Sequence, residues 1–368
     1  MKKKQRIGIL FGGRSGEHEI SLLSAASILK AIDKKKYEVI PIGITKQGHW
    51  LGSGDAQALL TGEASQPLEI SASTDLVHQS GNLNQTIDVV FPVLHGTFGE
   101  DGTIQGMFEL ADIAYVGSGV LGSAAGMDKE VMKKLFAAAG LPQTPYLALT
   151  RAEWKADPRR CTRQIEKALQ YPLFVKPANL GSSVGISKVH NRAELPAAMD
   201  LAAGFDRKLV IEQGVGGPGV KPRELEVAVL GNDNPEASVV GEIVPNKEFY
   251  DYESKYADSP EDPSVPIIPA KLTAAESKQI RAMAVAAFRA CDSAGLARVD
   301  FLMEPARRGS KPRIYLNEIN TMPGFTSISM YPKLWEATGV GYKQLIDRLI
   351  GLAVERHNEK QQTRFTRE

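Results

Sequence analysis

The strongest chemical signal in this sequence is a pair of short apolar runs with polar residues set two apart. Arg298-Val299-Asp300 lies in one run and Glu318-Ile319-Asn320 in the other. Residues i and i+2 of a strand share a face, so Arg298 points with Asp300 and Glu318 with Asn320. Two neighbouring strands would then turn Asp, Glu and Asn oxygens toward one point. Oxygen donors without His or Cys suit Mg²⁺ completed by the phosphates of a substrate. A structural salt-bridge cluster is the plainer alternative. Thr321–Ser327 follows, and Gly324 leaves its backbone N–H groups open to a ligand.

A second constellation carries positive charge. Phe174-Val175-Lys176-Pro177 precedes Asn179-Leu180-Gly181-Ser182-Ser183-Val184-Gly185-Ile186. A Lys at a strand end, followed by a Gly/Ser hairpin, can set an ammonium and several N–H groups around phosphates. The pattern is not G-x-x-x-x-G-K-[ST], so it is no Walker A loop. An ordinary Gly-rich hairpin is the alternative. Lys129, in Met127-Asp128-Lys129, opens a helix and alone means little.

Two further loops carry acids and glycines. Gly12-Gly13-Arg14-Ser15-Gly16 departs from the dinucleotide pattern, and the next strand ends in Thr45-Lys46 where an acid would be needed. Glu17 and Glu19 flank His18 at a helix start, where acids favour the helix dipole. A carboxylate at the carboxyl end of a parallel strand would equally suit an ammonium group. His95-Gly96-Thr97-Phe98-Gly99-Glu100-Asp101-Gly102 has the same placement after a later strand. It reads either as a tight connection or as the other wall of one cleft.

Behind these loops stand the elements that must hold them. Arg6–Phe11, Tyr37–Ile44 and Ile87–Leu94 read as buried strands. Glu19–Ile32 has helical spacing, with Leu23, Ile28 and Ala31 on one face. Strand, helix, strand order predicts a doubly wound parallel sheet. A helix over Lys129–Ala139 ends at Gly140, with Pro142 just beyond. Pro172–Lys176, Gly185–Val189 and Leu209–Glu212 read as strands of a second unit, with a boundary near Gly122. Glu224–Leu230 and Ala237–Val244 form an antiparallel pair around Gly231-Asn232-Asp233-Asn234. A helix over Ser277–Ala294 and strands over Ala297–Glu304 and Ile314–Asn320 complete the reading. Pro245–Ala270 is long and aperiodic, as functional lids are. Leu51–Gln85 carries no readable pattern.

The chain's 368 residues allow two or three domains. Its 44 Lys and Arg against 43 Asp and Glu leave a net charge of +1. No global field draws it to nucleic acid or an anionic membrane, so any phosphate site is local. Cys161 and Cys291 make neither a disulfide framework nor a zinc site. The apolar run Ile7–Phe11 behind Lys2-Lys3-Lys4 is too short for a signal peptide, and no run approaches a membrane span. A cytoplasmic enzyme is expected.

Lys176 with the Gly181–Gly185 loop, Arg298 with Asp300, and Glu318-Ile319-Asn320 together resemble the ATP-grasp superfamily. Gly12–Ser21, His95–Gly102 and Asn317–Ser329 resemble the D-alanine–D-alanine ligase family. The likeness runs from about Ile7 to Leu352. It implies an α/β fold, partly α+β, of three domains. These are a Rossmann-like parallel-sheet domain over 1–122, a central ATP-grasp subdomain over 123–215, and a C-terminal subdomain over 216–368 with a lid at about 245–270. ATP would lie between the last two, antiparallel, sheets. The implied reaction phosphorylates one D-alanine with ATP to an acyl phosphate and joins it to a second D-alanine, for peptidoglycan precursors. D-lactate- or D-serine-using ligases share the fold and are the alternative.

Residue roles follow from the same resemblance. Lys129 and Lys176 would hold ATP phosphates, with Ser183 in the covering loop. Asp300, Glu318 and Asn320 would hold two Mg²⁺ (or Mn²⁺). Glu212 and the Val215 backbone would meet adenine, with Phe249 packing near it. Glu224 would hold the ribose, and Glu226 faces the same side of that strand. Glu17 would bind the first D-alanine ammonium, tied to Ser182 and Tyr256. Arg298 and the Gly324 N–H would stabilise the oxyanion. Lys255, Ser329 and the Met330 N–H would hold the second carboxylate. His95 lies near the first substrate, its role open. Tyr256, in the lid, goes with a D-alanine nucleophile. A homodimer is the family expectation.

Overall fold

A computed structural model describes residues 4–61, 87–181, 183–216, 219–244, 265–306, 311–364 and 366–367. Among them lie three sheets.

The first sheet uses β1 (Gln5–Gly12), α1 (His18–Ala31), β2 (Tyr37–Ile44), β3 (Trp50–Leu51), α2 (Ser53–Thr61), β4 (Val89–Val93), α3 (Thr103–Leu110) and β5 (Ala114–Tyr115). Its strand order is β3-β2-β1-β4-β5, parallel except for the short β3. β1 is central and buried over Ile7–Gly12, as a strand covered on both faces must be. β3 and α2 fill part of the stretch the sequence left unread. α1 corrects one expectation: Leu23 is exposed, and Ile20, Ser21, Ser24, Ala25 and Ile28 face inward. The helix is turned so that Ser21 meets the strand ends and Ser24 the loops beyond them.

α4 (Val120–Met127) and α5 (Lys129–Ala138) lead on to the central sheet. Asp128 caps α5, accepting the Glu130 and Val131 N–H groups. The central unit comprises β6 (Tyr146–Thr150), α6 (Arg151–Ala156), α7 (Pro158–Ala168), β7 (Leu173–Pro177), β8 (Ser187–Val189), α8 (Leu195–Phe205) and β9 (Lys208–Gln213). Its strands run β6-β9-β7-β8, all antiparallel. Thr150 and Glu153 form a capping box that starts α6.

The third sheet uses β10 (Arg223–Gly231), β11 (Glu236–Val244), β12 (Val265–Ile267), α9 (Ala274–Ala290), β13 (Gly295–Glu304) and β14 (Arg313–Asn320), then α10 (Met330–Ala337) and α11 (Tyr342–Lys360). Its order is β12-β11-β10-β13-β14, antiparallel throughout. β12 lies within the stretch expected to be aperiodic. It is an edge strand, where its proline is tolerated. α9 starts at a Thr273/Glu276 capping box, earlier than its apolar stripe suggests.

One apolar core joins the first sheet to the third. Ile7, Phe11 and Phe91 share it with Leu230, Leu296, Trp335 and Leu345. α11 thus returns the chain's end to the first sheet. A second core lies on the other side of the third sheet, with Met132 and Phe136 of α5. The central sheet has its own core, drawn from 149–211. No helix among the described residues is long and apolar enough to cross a membrane.

Candidate active site

The β1–α1 loop is pinned at its root. Gly12 has φ +92°, and a side-chain carbon there would run into the Ile44 carbonyl. Its N–H donates to Ser21 Oγ at 2.7 Å, and Ser21 donates to the Val93 carbonyl. Ser15 Oγ donates to the His95 carbonyl at 2.6 Å, tying this loop to the one after β4. Glu19 turns away and pairs with Lys46, but Glu17 faces inward and is buried. A side-chain carbon built on Gly96 or on Gly181 would lie 2.7 Å from the same Glu17 Oε2. Three loops therefore close on one carboxylate, and glycine is what lets two of them approach.

Glu100 lies beneath this junction. Its Oε1 accepts the Gly96 N–H at 2.6 Å. Burial, and then the Glu17 charge, push its carboxyl up to about 8. His95 is also buried and contacts both Met322 and Ser24. Burial holds its ring below the usual imidazole range, against the pull of Glu17.

The positive groups gather around α5. Lys129 Nζ donates to the Leu180 carbonyl at 2.7 Å, so it reaches the Gly/Ser hairpin. Lys176 ends β7 and lies 3.1 Å from Glu212 Oε2 on neighbouring β9. Lys133, one turn beyond Lys129, is fully buried and lies 3.3 Å from Glu212 Oε1. Burial lowers its ammonium below the ordinary lysine range against the pull of Glu212. Burial would raise the Glu212 carboxyl, but Lys133 and Lys176 outweigh it and keep it low. Val215 is buried just past β9, and Ser183 adopts φ +61° in the hairpin turn.

The third sheet delivers the acid-rich face. Across β10, β13 and β14, Glu226 stands opposite Asp300 and Asp300 opposite Glu318, while Arg298 stands opposite Asn320. Arg298 grips Asp300 with two bonds of 2.7 Å, Nε to Oδ1 and Nη2 to Oδ2. Glu226 Oε2 lies 3.4 Å from Arg298 Nε. Burial opposes the guanidinium charge, but Asp300 and Glu226 hold it well above its ordinary range. Glu224 stands opposite Leu302, two residues along the same face. Asp300, Glu318 and Asn320 are hard oxygen donors on adjoining positions, a donor set that fits Mg²⁺ with phosphate oxygens completing it. Asn320 Oδ1 accepts the Met322 N–H at 3.0 Å, so the loop beyond β14 starts from this set. Gly324 lies against Ser329, whose Oγ accepts the Thr326 N–H at 3.1 Å. Met330 opens α10 directly after the Ser329 N-cap.

Ser182, Phe249, Lys255 and Tyr256 lie outside the described residues, as do positions 245–264 of the expected lid. The structure adds Lys133, Glu100 and Ser24 to the residues given roles from sequence, and it sets Glu226, named there beside Glu224, against Arg298. Lys133 had one signal: it is four residues from Lys129 and so shares its helix face. Chemically these groups offer an acid that could take an ammonium, lysines that could take phosphates, and oxygen donors that could take a hard cation.

The family model described as D-ala D-ala ligase N-terminus matches residues 6–118, and that for the D-ala D-ala ligase C-terminus matches 135–351. A D-alanine–D-alanine ligase of Bacillus cytotoxicus is 49% identical over 372 residues, covering 99% of both chains. One from Thermoanaerobacter sp. is 52% identical over 367 residues, covering 97% of this chain and 99% of the other. The solved D-alanine–D-alanine ligase of Coxiella burnetii superposes with TM-score 0.78 at 34% identity, covering 98% of this chain and 97% of that one. The VanG D-Ala:D-Ser ligase of Enterococcus faecalis superposes with TM-score 0.80 at 37% identity, covering 95% and 100%.

Proposed function

The chain belongs to the D-alanine–D-alanine ligase family, and from that membership we infer that it joins two D-alanines into D-alanyl-D-alanine with ATP. In this reading the first D-alanine carboxylate takes the γ-phosphoryl group and ADP leaves. The amine of the second then attacks the acyl carbonyl, the C–N bond forms and phosphate departs. The product serves peptidoglycan precursor synthesis.

One observation carries the reading: the Glu17 carboxylate sits where the first sheet's two loops meet Gly181 of the hairpin. An ammonium bound there lies beside a loop suited to phosphates, as acyl-phosphate formation requires. Phosphoryl transfer needs positioning and charge neutralisation more than covalent help. Lys129 and Lys176, with Ser183, take the phosphates. Glu212, Val215 and Phe249 take the base and Glu224 the ribose. Glu224 suits the ribose better than Glu226, because Glu226 is drawn to Arg298. Asp300, Glu318 and Asn320 would hold Mg²⁺ or Mn²⁺, which supplies charge neutralisation at the phosphates. Arg298 and the Gly324 N–H stabilise the oxyanion. Ser182 and Tyr256 would tie the lid to Glu17. Lys255, Ser329 and the Met330 N–H take the second carboxylate.

We read three units, 1–122, 123–215 and 216–368, with a lid at about 245–270 that excludes water from the acyl phosphate. A cytoplasmic homodimer fits the family, and the unpaired buried thiols of Cys161 and Cys291 suit a reducing compartment. Phosphate release with D-alanine against L-alanine tests the reading. Release indifferent to the isomer overturns it. Product analysis with D-alanine, D-serine and D-lactate competing identifies the second substrate; D-alanyl-D-alanine is expected.

A further inference from the structure

Gly324 lies in a segment, Pro323–Phe325, with no regular secondary structure. No ladder fixes it, yet an oxyanion donor acts only if it is in place before the charge develops. Buried polar groups from two other elements hold the segment's ends.

His95 Nδ1 lies 2.9 Å from the Met322 carbonyl. A carbonyl only accepts, so Nδ1 carries the proton and donates. In the neutral ring Nε2 is then an acceptor, and the Ser24 hydroxyl lies 3.3 Å from it. Ser24 Oγ in turn accepts the Phe325 N–H at 3.2 Å. The bonds run in one consistent direction and close a circuit over 322–325. Ser24 is 0% exposed, His95 3%, Met322 4% and Phe325 2%, so water does not compete for these bonds. The Phe325 ring is held independently, by Phe91 at 5.8 Å and by Tyr331 and Tyr342. What Ser24 and His95 add is control of the backbone between two anchored points.

We propose that Ser24 and His95 are positioning residues that hold the Met322–Phe325 backbone, and with it the Gly324 N–H, against the first sheet. The inference rests on the reading of Gly324 as an oxyanion donor. It gives His95 a role through the backbone rather than through contact with substrate. It also accounts for the rotation of α1, which buries Ser24 and leaves Leu23 outside.

Ser24→Ala removes the donor to His95 and the acceptor for the Phe325 N–H in one step. A catalytic group displaced by 1 Å loses about 100-fold, so kcat for phosphate release should fall by about 10-fold to 100-fold. KM for ATP and for the first D-alanine should stay near the wild-type values. A dipeptide phosphinate, with tetrahedral phosphorus in place of the reacting carbonyl, should lose affinity in step with kcat. His95→Gln, whose amide offers one donor and one acceptor, should retain clearly more kcat than His95→Ala. This pair also carries the test if Ser24→Ala does not fold. An active wild type with Ser24→Ala unchanged, or with His95→Gln and His95→Ala equally impaired, overturns the latch alone. A wild type without D-alanine-dependent phosphate release overturns the ligase reading and the latch with it.

Discussion

The first and third sheets meet through a continuous apolar core, whereas the central sheet meets its neighbours through polar contacts, among them the charges carried by α5. Met132 and Phe136 of α5 pack into the third sheet's core. The other side of α5 faces the central sheet, where Lys208 lies 2.7 Å from Asp128 and 2.9 Å from Glu130. Asn179 donates to Asp128 at 3.2 Å, and Lys129 and Lys133 reach Leu180 and Glu212. Buried titratable groups behave differently at the two joints. Beside the apolar joint burial favours the neutral form, lowering His95 and raising Glu100. At the charged joint burial pushes the same way, but partners prevail at the carboxylates: Lys208 lowers Asp128, and Lys133 and Lys176 lower Glu212, while at Lys133 itself burial wins. The loops assigned to D-alanine are thus held within one body, and the sheet assigned to the nucleotide hangs on α5.

The sharpest way to break this division is at Arg298. Arg298→Ala removes the proposed oxyanion donor from the body and leaves the charged joint intact. Turnover should fall by about 100-fold or more, with ATP binding retained in a nucleotide titration. A matching loss of ATP affinity would mean that the two regions are not separable. Lys133→Met tests the other side. Removing one member of a buried ion pair costs about 3–5 kcal/mol, and the loss here should be smaller because Lys176 still faces Glu212. It should appear as weaker ATP binding and earlier unfolding of the central unit, with kcat at saturating ATP little changed. A loss confined to kcat would count against it.

How far each region was legible in sequence follows from the same contrast. The period of two on a strand let Arg298/Asp300 and Glu318/Asn320 be read as same-face pairs. Their alignment across β13 and β14 was not readable, because an irregularity between Asp300 and Phe301 shifts the register. Nothing local in the sequence marks Lys133, because its carboxylate partner, Glu212, lies some 80 positions away. Apolar spacing places Leu23 on the core face and gives Ser24 no role, whereas Leu23 is exposed and Ser24 buried. Apolar periodicity cannot see a helix turned by serine hydroxyls that satisfy distant backbone groups. β12 was hidden by Pro266 within a Pro- and Asp-rich stretch, where only pairing with β11 reveals a strand. The motif loops were legible because they are local; the joints between sheets were not.

Glu100 sharpens the comparison from the apolar side. Its folded carboxyl keeps the proton to about pH 8, whereas an unperturbed one releases it near 4.5. Between those values the folded state binds more protons, so stability falls as pH rises through the window. The slope from one group is at most about 1.4 kcal/mol per pH unit. Glu100→Gln should flatten that decline in denaturant titrations between pH 5 and about 8. An unchanged slope would show that Glu100 is ionised in the folded protein.

The smallest effect belongs to Lys208, and it bears most directly on how the central sheet is hung. Lys208 is 13% exposed at its side chain and sits between two carboxylates at 18% or less. Part of its Coulomb energy is therefore lost to solvent, and Lys208→Met should cost about 1 kcal/mol, the upper end for exposed pairs. Its location matters more than its size. Opening of the charged joint should be local, so amide exchange should quicken in β7 and β9 while β1, β4 and β10 keep their protection. Raising the ionic strength should mimic the substitution in the wild type, since screening acts on this joint and not on apolar area. Equal acceleration in all three sheets would mean that the central unit unfolds only with the rest, and that the ionic face of α5 is no separate joint.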